Sequence, residues 1–564
     1  MTKLQFRVLY REFLFRMIDL ELLSVQGDMN KLLGQFAAFL VLISVGLAML
    51  AVGAAGPNQM PRADVLIRAW PFEHAPIAMT MLVVGLFAVL SWDSTFPNRR
   101  DVLVLAPLPV CTRTIFFAKV AASAVALSLT VVALNALPSI ILPMALAPPD
   151  NGGLLGLILS LVPLRCFAAY WITMLSAGAF IFCCVLGVQG VAAQLLARRH
   201  FLRLSAFLQM AAFCLFLSVY FLEPSLSTPK ALTAPENQTL LAWLPSYWFL
   251  GLFQLLNGTP HPALAPLANR ALVGSAVAVI GAGTAFLLSY FRTLRKIVEA
   301  PDIAPGSRRG SWLPRFGNPL ETAVVQFSIR TLLRSRQHRV ILAFYWGLGG
   351  AIITLVTRTR FAHQKLNVPM LFASVVMMLV AVLGTRIVFS MPLDVRANWV
   401  FRLAPLRGGA EFLAATRRSL FVLAIAPVFV LSTALFLFLW PWHAAVGHLI
   451  LLLLLGAILA ELCLHGFSKI PFTCSYLPGK SYAHMVILAF ILLQAVIWLS
   501  ADYERNALDR PARYALLLAI LCIAAICARW RTAVLAKQPE SALQFEDDPA
   551  PALQGLGLHR DGIL

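Results

Sequence analysis

LGQFAAFLVLISVGLAMLAVGAAG, residues 33–56, runs for 24 positions without an Asp, Glu, Lys or Arg. As a helix rising 1.5 Å per residue it is about 36 Å long, more than the ~30 Å hydrocarbon core of a bilayer. Its length and apolarity decide the fold class: helical and membrane-spanning. The same criterion places further runs near 74–92, 118–142, 166–194, 204–222 and 268–291. After a basic linker, others follow near 340–357, 367–390, 419–440, 444–465, 482–500 and 513–528. The expectation is an all-α polytopic protein with about twelve spans in two parallel six-helix halves. Its parts are a cytoplasmic amphipathic helix (1–32), a first half (33–291), a basic linker with a second amphipathic helix (292–339), a second half (340–530) and a tail (531–564).

Two stretches fit less simply. Pro163 and Arg165 interrupt the fourth run, so 154–162 reads as a re-entrant or interfacial piece. LAWLPSYWFLGLFQLL (241–256) is short and broken by Pro245, and its aromatics suggest an interfacial helix.

Composition agrees. Of 564 residues 60% are hydrophobic and only 12% charged, about half the charged fraction of a soluble domain. The 45 basic residues exceed the 25 acidic ones. No basic stretch is interleaved with aromatics as in a nucleic-acid surface; retention of Lys and Arg in cytoplasmic loops accounts for the excess. With the N-terminus inside, 34 Lys and Arg fall on the inner side and 11 on the outer. Lys3, Arg7, Arg11 and Arg16 belong to the inner set, and residues 292–339 contribute ten. Both termini are therefore expected in the cytoplasm of a bacterial inner membrane. No cleavable signal peptide is expected. The nine cysteines lie mostly within apolar runs without zinc-site spacing.

The chain repeats a motif. NRRDVLVLAPLPVCTRTIFFAK (98–119) and RANWVFRLAPLRGGAEFLAATR (396–417) share Leu-Ala-Pro-Leu at 105–108 and 403–406, an offset of 298. Each stretch lies on the inner side between the second and third spans of its half, which reads as duplication. Residues 4–24 set Arg7 and Arg11 one turn apart, with Leu9, Phe13 and Met17 along another side. That is an amphipathic helix at the inner surface, and 321–339 repeats the arrangement. The tail 537–564, with Glu540, Glu546, Asp547 and Asp548, reads as a solvated extension.

Catalytic motifs do not survive inspection. Pro478-Gly479-Lys480-Ser481 ends like a phosphate loop, but Cys474 stands where its first glycine belongs. Asn237-Gln238-Thr239 and Asn257-Gly258-Thr259 match the glycosylation pattern without supporting context, and the ten histidines lack metal-ligand spacing. Glu461 and His465, four residues apart near the inner end of the tenth span, form a candidate intramembrane polar pair, and Arg386 sits at the inner end of the eighth. Carboxylates near the midplane, which an ion-coupled carrier needs, are scarce, so energy is expected to enter from elsewhere.

The amphipathic helix, the six spans per half and the paired loops resemble the permeases of type 2 ABC exporters. The resemblance implies an export permease that is not itself an enzyme and binds no cofactor. ATP and Mg would reside on a separate ABC ATPase subunit, in two copies, with the bilayer and no nucleic acid as other partners. Two units fused in one chain depart from the usual single-unit permease, leaving open whether a second permease chain completes the pore. It also implies that the paired loops couple to the ATPase through Arg99, Arg100, Asp101, Pro107, Leu108 and Lys119, and through Arg396, Arg402, Pro405, Leu406 and Arg417. The alternatives are a twelve-span secondary carrier, whose Gly-rich loop motif is missing from 91–114, and a membrane-embedded transferase, for which the first outer loop offers only Asp64 and Glu73.

The charge bias makes a topological prediction. Reporter fusions after residues 60 and 230 map outside, and fusions after 305 and 540 map inside. An external 305 overturns the six-plus-six scheme.

Overall fold

A computed structural model of the chain describes residues 3–18, 29–54, 62–95, 107–146, 161–196, 198–299, 318–357, 368–393, 409–465, 470–473 and 497–535, together with Val102, Leu105, Arg315 and Phe467. Every regular element among them is helical. The chain divides into two compact units, 1–307 and 308–564.

Unit 1 holds α1 (Lys3–Ile18), α2 (Met29–Val52), α3 (Arg62–Leu90), α4 (Thr112–Asn135), α5 (Pro138–Ala145), α6 (Leu161–Leu195), α7 (Arg198–Leu222), α8 (Pro245–Asn257) and α9 (Ala265–Glu299). Unit 2 holds α10 (Pro319–Arg334), α11 (Arg336–Thr357), α12 (Val368–Phe389), α13 (Gly409–Leu420), α14 (Ala426–Leu439), α15 (Trp442–Cys463) and α16 (Pro511–Leu535), and 497–508 is helical as well. A π turn, Phe421–Ile425, joins α13 to α14 just before Pro427. A proline has no N–H and crowds the preceding turn, and a widened turn accommodates both effects.

Eight helices among the described residues are long and apolar enough to cross a membrane, or up to nine if a bent pair counts as one. They occupy 64–90, 112–135, 164–195, 265–290, 368–389, 411–439, 442–463 and 511–535. Three of the remaining expected runs fall within α2, α7 and α11, helices of 24, 25 and 22 residues, whose apolar parts include Leu40–Val52, Phe207–Leu222 and His338–Ile353. The run at 482–500 lies outside the described residues except for its last four. A multi-pass helical membrane protein is thus established in outline.

Patterning explains which helices are central. α12 is apolar on all sides, and 83% of its most apolar stretch is buried within unit 2, whereas the corresponding figure for α16 is 0%. A helix apolar all round belongs inside a bundle or against lipid, and these two take one place each. In unit 1, α6 and α9 lie close because small residues face each other. A Cβ at Gly190 would stand 3.0 Å from Ala285, and one at Gly187 3.8 Å from the Ala282 backbone.

Two local expectations change. Pro163 and Arg165 do not interrupt α6, since proline in a first turn costs no intrahelical bond, while 154–160 of the expected re-entrant piece lie outside the described residues. The 241–256 aromatics do not form a flat surface helix. Pro235–Leu241 and α8 make a bent pair at 105°, and Tyr247, Phe249, Leu250, Leu252 and Phe253 are buried. Phe249 packs 5.5 Å from Phe180 of α6, while Trp243 at the bend stays exposed. Gly258, at φ 83°, ends α8 in the left-handed conformation that glycine adopts without strain.

The amphipathic α1 is docked, not floating. Phe13 and Met17 are buried against Phe87 of α3 and Ala118, Ala122 and Ala126 of α4, with Leu9, Tyr10 and Leu14 beside them. Alanines at four-residue spacing leave a groove along α4 that admits the larger side chains. The Lys119 ammonium lies 5.2 Å from the Phe13 ring centroid, a cation–π contact, and Ser123 donates to the Met17 sulfur at 3.5 Å. Phe13→Ala should cost about 3 kcal/mol of local stability. Hydrogen exchange is expected to speed up across α1 and leave α9 unchanged; equal exchange in α1 would show that this docking is unimportant.

Candidate functional site

The end of unit 1 where α1 lies carries the first repeated loop. Arg99, Arg100 and Asp101 lie outside the described residues. Leu105 packs on the α1 cluster, while Pro107, Leu108 and Pro109 are exposed, Leu108 to 48%. The tip is braced by Gln5 of α1, whose side-chain amide donates to the Pro109 carbonyl at 3.4 Å. It is braced again where the Leu108 amide donates to the Leu105 carbonyl at 3.2 Å. On the far side of the loop's origin, Gln189 of α6 donates to the Trp92 carbonyl at 2.6 Å. Lys119 is no loop residue: it lies within α4, 2% exposed, against α1. A short apolar tip is therefore presented on a stiff base.

In unit 2, Arg396, Arg402, Pro405 and Leu406 lie outside the described residues, but both ends of their loop are held. At the start, Arg386 Nε donates to the Cys463 carbonyl at 2.8 Å, and the guanidinium stacks 4.2 Å over the Phe467 ring. Carbonyls at a helix C-terminus are natural partners for a cation. His338 Nε2 lies 3.1 Å from the Met391 carbonyl, and Ser335 holds the other ring nitrogen at 2.6 Å. Phe472 bonds through its own N–H to Phe389 and through its carbonyl to Leu393, both at 2.9 Å. It does so at φ 66°, an uncommon conformation for a bulky residue that needs support from its surroundings.

At the other end of that loop, Arg417 of α13 forms a two-pronged ion pair with Glu461 of α15, at 2.5 Å and 3.1 Å. Thr532 of α16 adds a hydroxyl to the same carboxylate at 2.6 Å. Arg418 pairs with Glu321 of α10. Val324 of α10 packs with Phe412 and Ala415 of α13 beneath these charges. Sequence spacing pairs Glu461 with His465, but Glu461 is buried on Arg417 and Thr532 while His465 is exposed. The guanidinium wins over an imidazole one turn away because it is a permanent charge: Nη2 donates to one carboxylate oxygen, while Nε pairs with the other by charge alone.

Two buried polar networks at the opposite ends of the units are not evident from the sequence. In unit 2, Ser374 Oγ lies 2.8 Å from His448 Nε2, and His448 Nδ1 lies 2.6 Å from Glu504. The order hydroxyl, imidazole, carboxylate is that of a nucleophilic triad. However, Ser374 sits within α12, where helix bonds use the backbone N–H groups an oxyanion would need, and its hydroxyl also donates to Leu371. The arrangement can hold and share a proton between three elements.

In unit 1, Glu73 and His74 sit between Pro71 and Pro76 of α3, about 21 Å along the helix from Phe87. Gln254 of α8 donates to Glu73 and accepts from Thr259 at 2.6 Å. His74 stacks on Tyr247 at 4.1 Å, with Nε2 3.9 Å from Glu223. Glu223 also accepts from Ser246 at 2.6 Å, and burial pushes its carboxyl up to about 7 against the effect of that bond. Glu73-His74 between prolines was the available signal. It was masked because residues 57–73 read as an outer loop, whereas α3 begins at Arg62.

The Arg417–Glu461 pair is testable by a cycle. Arg417→Ala leaves a buried carboxylate unpaired and should cost about 3–5 kcal/mol. Adding Glu461→Gln should recover most of the loss in thermal unfolding; simple additivity would rule the coupling out.

Among protein families, curated proteins and solved structures, none matches this chain.

Proposed function

We propose that the chain is the membrane-spanning permease of an ATP-driven exporter of the type 2 ABC kind, in a bacterial inner membrane with both termini cytoplasmic, driven by a separate ATPase. The observation that carries this reading is the braced, exposed Pro107-Leu108-Pro109 tip, 48% exposed at Leu108, standing on α1 and the start of α4. An apolar side chain held out on a rigid base suits a groove in a partner, because little conformational entropy is lost on docking.

A shared order supports two duplicated halves. In unit 1, α1 precedes two membrane helices and packs on the helix that follows the loop. In unit 2, α10 does the same against α13. In this reading, ATP and Mg bind the partner, closure of its two copies pushes on both loops, and the tethers pass the motion into α4 and α13. Arg99, Arg100, Asp101, Arg396 and Arg402 supply the polar rim of the contact, and Leu108 and Leu406 its apolar centre.

An ion-coupled carrier is the second reading, favoured by the burial of Glu73, His74 and Glu223 in unit 1. Mutation separates the two. Leu108→Asp with Leu406→Asp keeps every basic residue, so insertion should be normal. Co-purification of the ATPase and stimulation of its turnover are expected to fall at least tenfold. Unchanged binding and stimulation would remove these loops from the coupling path, and transport that follows an imposed ion gradient without ATP would favour the carrier.

A further inference from the structure

Charge accounting in unit 1 leads beyond the coupling mechanism and does not depend on it. Glu73, His74 and Glu223 are 1%, 2% and 4% exposed. The described hydrogen-bond partners of the two carboxyl groups are neutral: the Gln254 amide for Glu73 and the Ser246 hydroxyl for Glu223. Among the described residues, Glu73 Oε1 and His74 Nε2 are both buried without a hydrogen-bond partner. An ionised carboxylate with one bare oxygen, away from water and from any cation, is several kcal/mol too costly to persist. Something positive must bind there, or arrive there during the working cycle.

The packed neighbours do not supply it. From α6 come Cys166 and Tyr170, the latter donating to Asn135 of α4 at 2.7 Å. From the end of α7 come Tyr220 and Glu223, from α8 Tyr247, and after α8 His261, which meets Trp70 at 5.0 Å. Ser44 of α2 serves the Leu137 amide. The nearby cations face elsewhere: Arg165 is exposed and donates to the Leu256 carbonyl, and Lys230 on Pro229–Thr233 is exposed. No group of three His, Cys, Asp or Glu able to hold a metal occurs among the described residues.

We infer that Glu73, His74 and Glu223 form a buried proton-binding site in which Glu73 holds the proton. A proton needs no open volume. It neutralises the bare oxygen while leaving the Gln254 bond to the other oxygen intact. Glu223, where α7 ends, lies 3.9 Å from the His74 nitrogen and completes the group of buried titratable side chains around it.

Infrared spectroscopy of the full chain in lipid nanodiscs tests this. At neutral pH the wild type should show the C=O stretch of a protonated carboxyl that shifts in D2O. Glu73→Gln should remove that component, and Glu73→Asp should move it. Raising the pH should extinguish the band and lower thermal stability in the wild type, with Glu73→Gln lacking the Glu73 component and keeping only the smaller change that Glu223 contributes. The Gln side chain matches Glu in shape, and Glu73→Asp provides a second variant if Gln disturbs folding. A wild-type spectrum identical to that of Glu73→Gln overturns the proposal. So does a carboxylate band in the wild type at neutral pH together with thermal stabilisation by methylammonium, which would assign the site to an organic cation. ATPase is absent from these measurements, so their outcome is separate from that of the loop variants.

Discussion

Hydrocarbon offers a backbone no hydrogen-bond partner, and everything in this protein is arranged around that constraint. Each crossing segment must satisfy its own N–H and C=O groups, so it becomes a helix, and the irregular stretches gather where protein or water can serve them. The exceptions obey the same rule. The π turn before Pro427 widens one turn without leaving the helix, and the 105° bend leads into α8, which packs against α3, α6 and α9 while Trp243 at the bend itself stays exposed. Cores in such a setting gain little from burying oil in oil, so close fit between small residues carries more weight. Gly190 against Ala285 and the Ala118-Ala122-Ala126 groove are where this chain achieves it.

Polar side chains then act as fasteners between helix ends. Arg386 ties α12 to the end of α15, Arg417 ties α13 to the last turn of the same helix, and Arg418 ties α13 to α10. Each cation lies at a position where a helix leaves its apolar stretch, which is where a charge can be paired without the full cost of burial. Such ties make the flanks of the second loop stiff, and Phe13, Lys119 and Gln189 do the same for the first by packing and hydrogen bonding. The two units thus reach similar support for their loops with different chemistry: an aromatic ring and an ammonium in one, ion pairs in the other. A partner pushing on either loop would move whole helices and not merely a flexible strand.

The buried networks at the opposite ends have another character. Ser374, His448 and Glu504 satisfy one another, whereas Glu73 and His74 each keep a bare polar atom. Satisfied networks stiffen a bundle, and unsatisfied ones mark places where an occupant is expected. The proline pair around Glu73-His74 and the bent element carrying Gln254 place that incomplete network where α3, α7 and α8 converge.

Residues 33–56 and their counterparts were enough to establish a helical membrane protein, because length and apolarity read directly against bilayer thickness. The i, i+4 stripe of Leu9, Phe13 and Met17 likewise announced an amphipathic helix at the inner surface, since helical periodicity is a local property, but its docking on α3 and α4 was decided by the fold. The number of crossings was less legible: among the described residues eight helices meet the length and apolarity required, and three further expected runs fall within α2, α7 and α11. Partnerships were the least legible of all. Spacing within one helix suggested Glu461 with His465, while folding brought Arg417 from 44 positions away and Thr532 from 71. The aromatics of 241–256 looked like a membrane-interface anchor, yet packing against α6 and α9 buried them. Glu73 and Gln254, 181 positions apart, could be joined only by the fold. Local hydropathy and periodicity belong to the chain, but which charge faces which is decided by helix packing, and that depends on contacts no single segment contains.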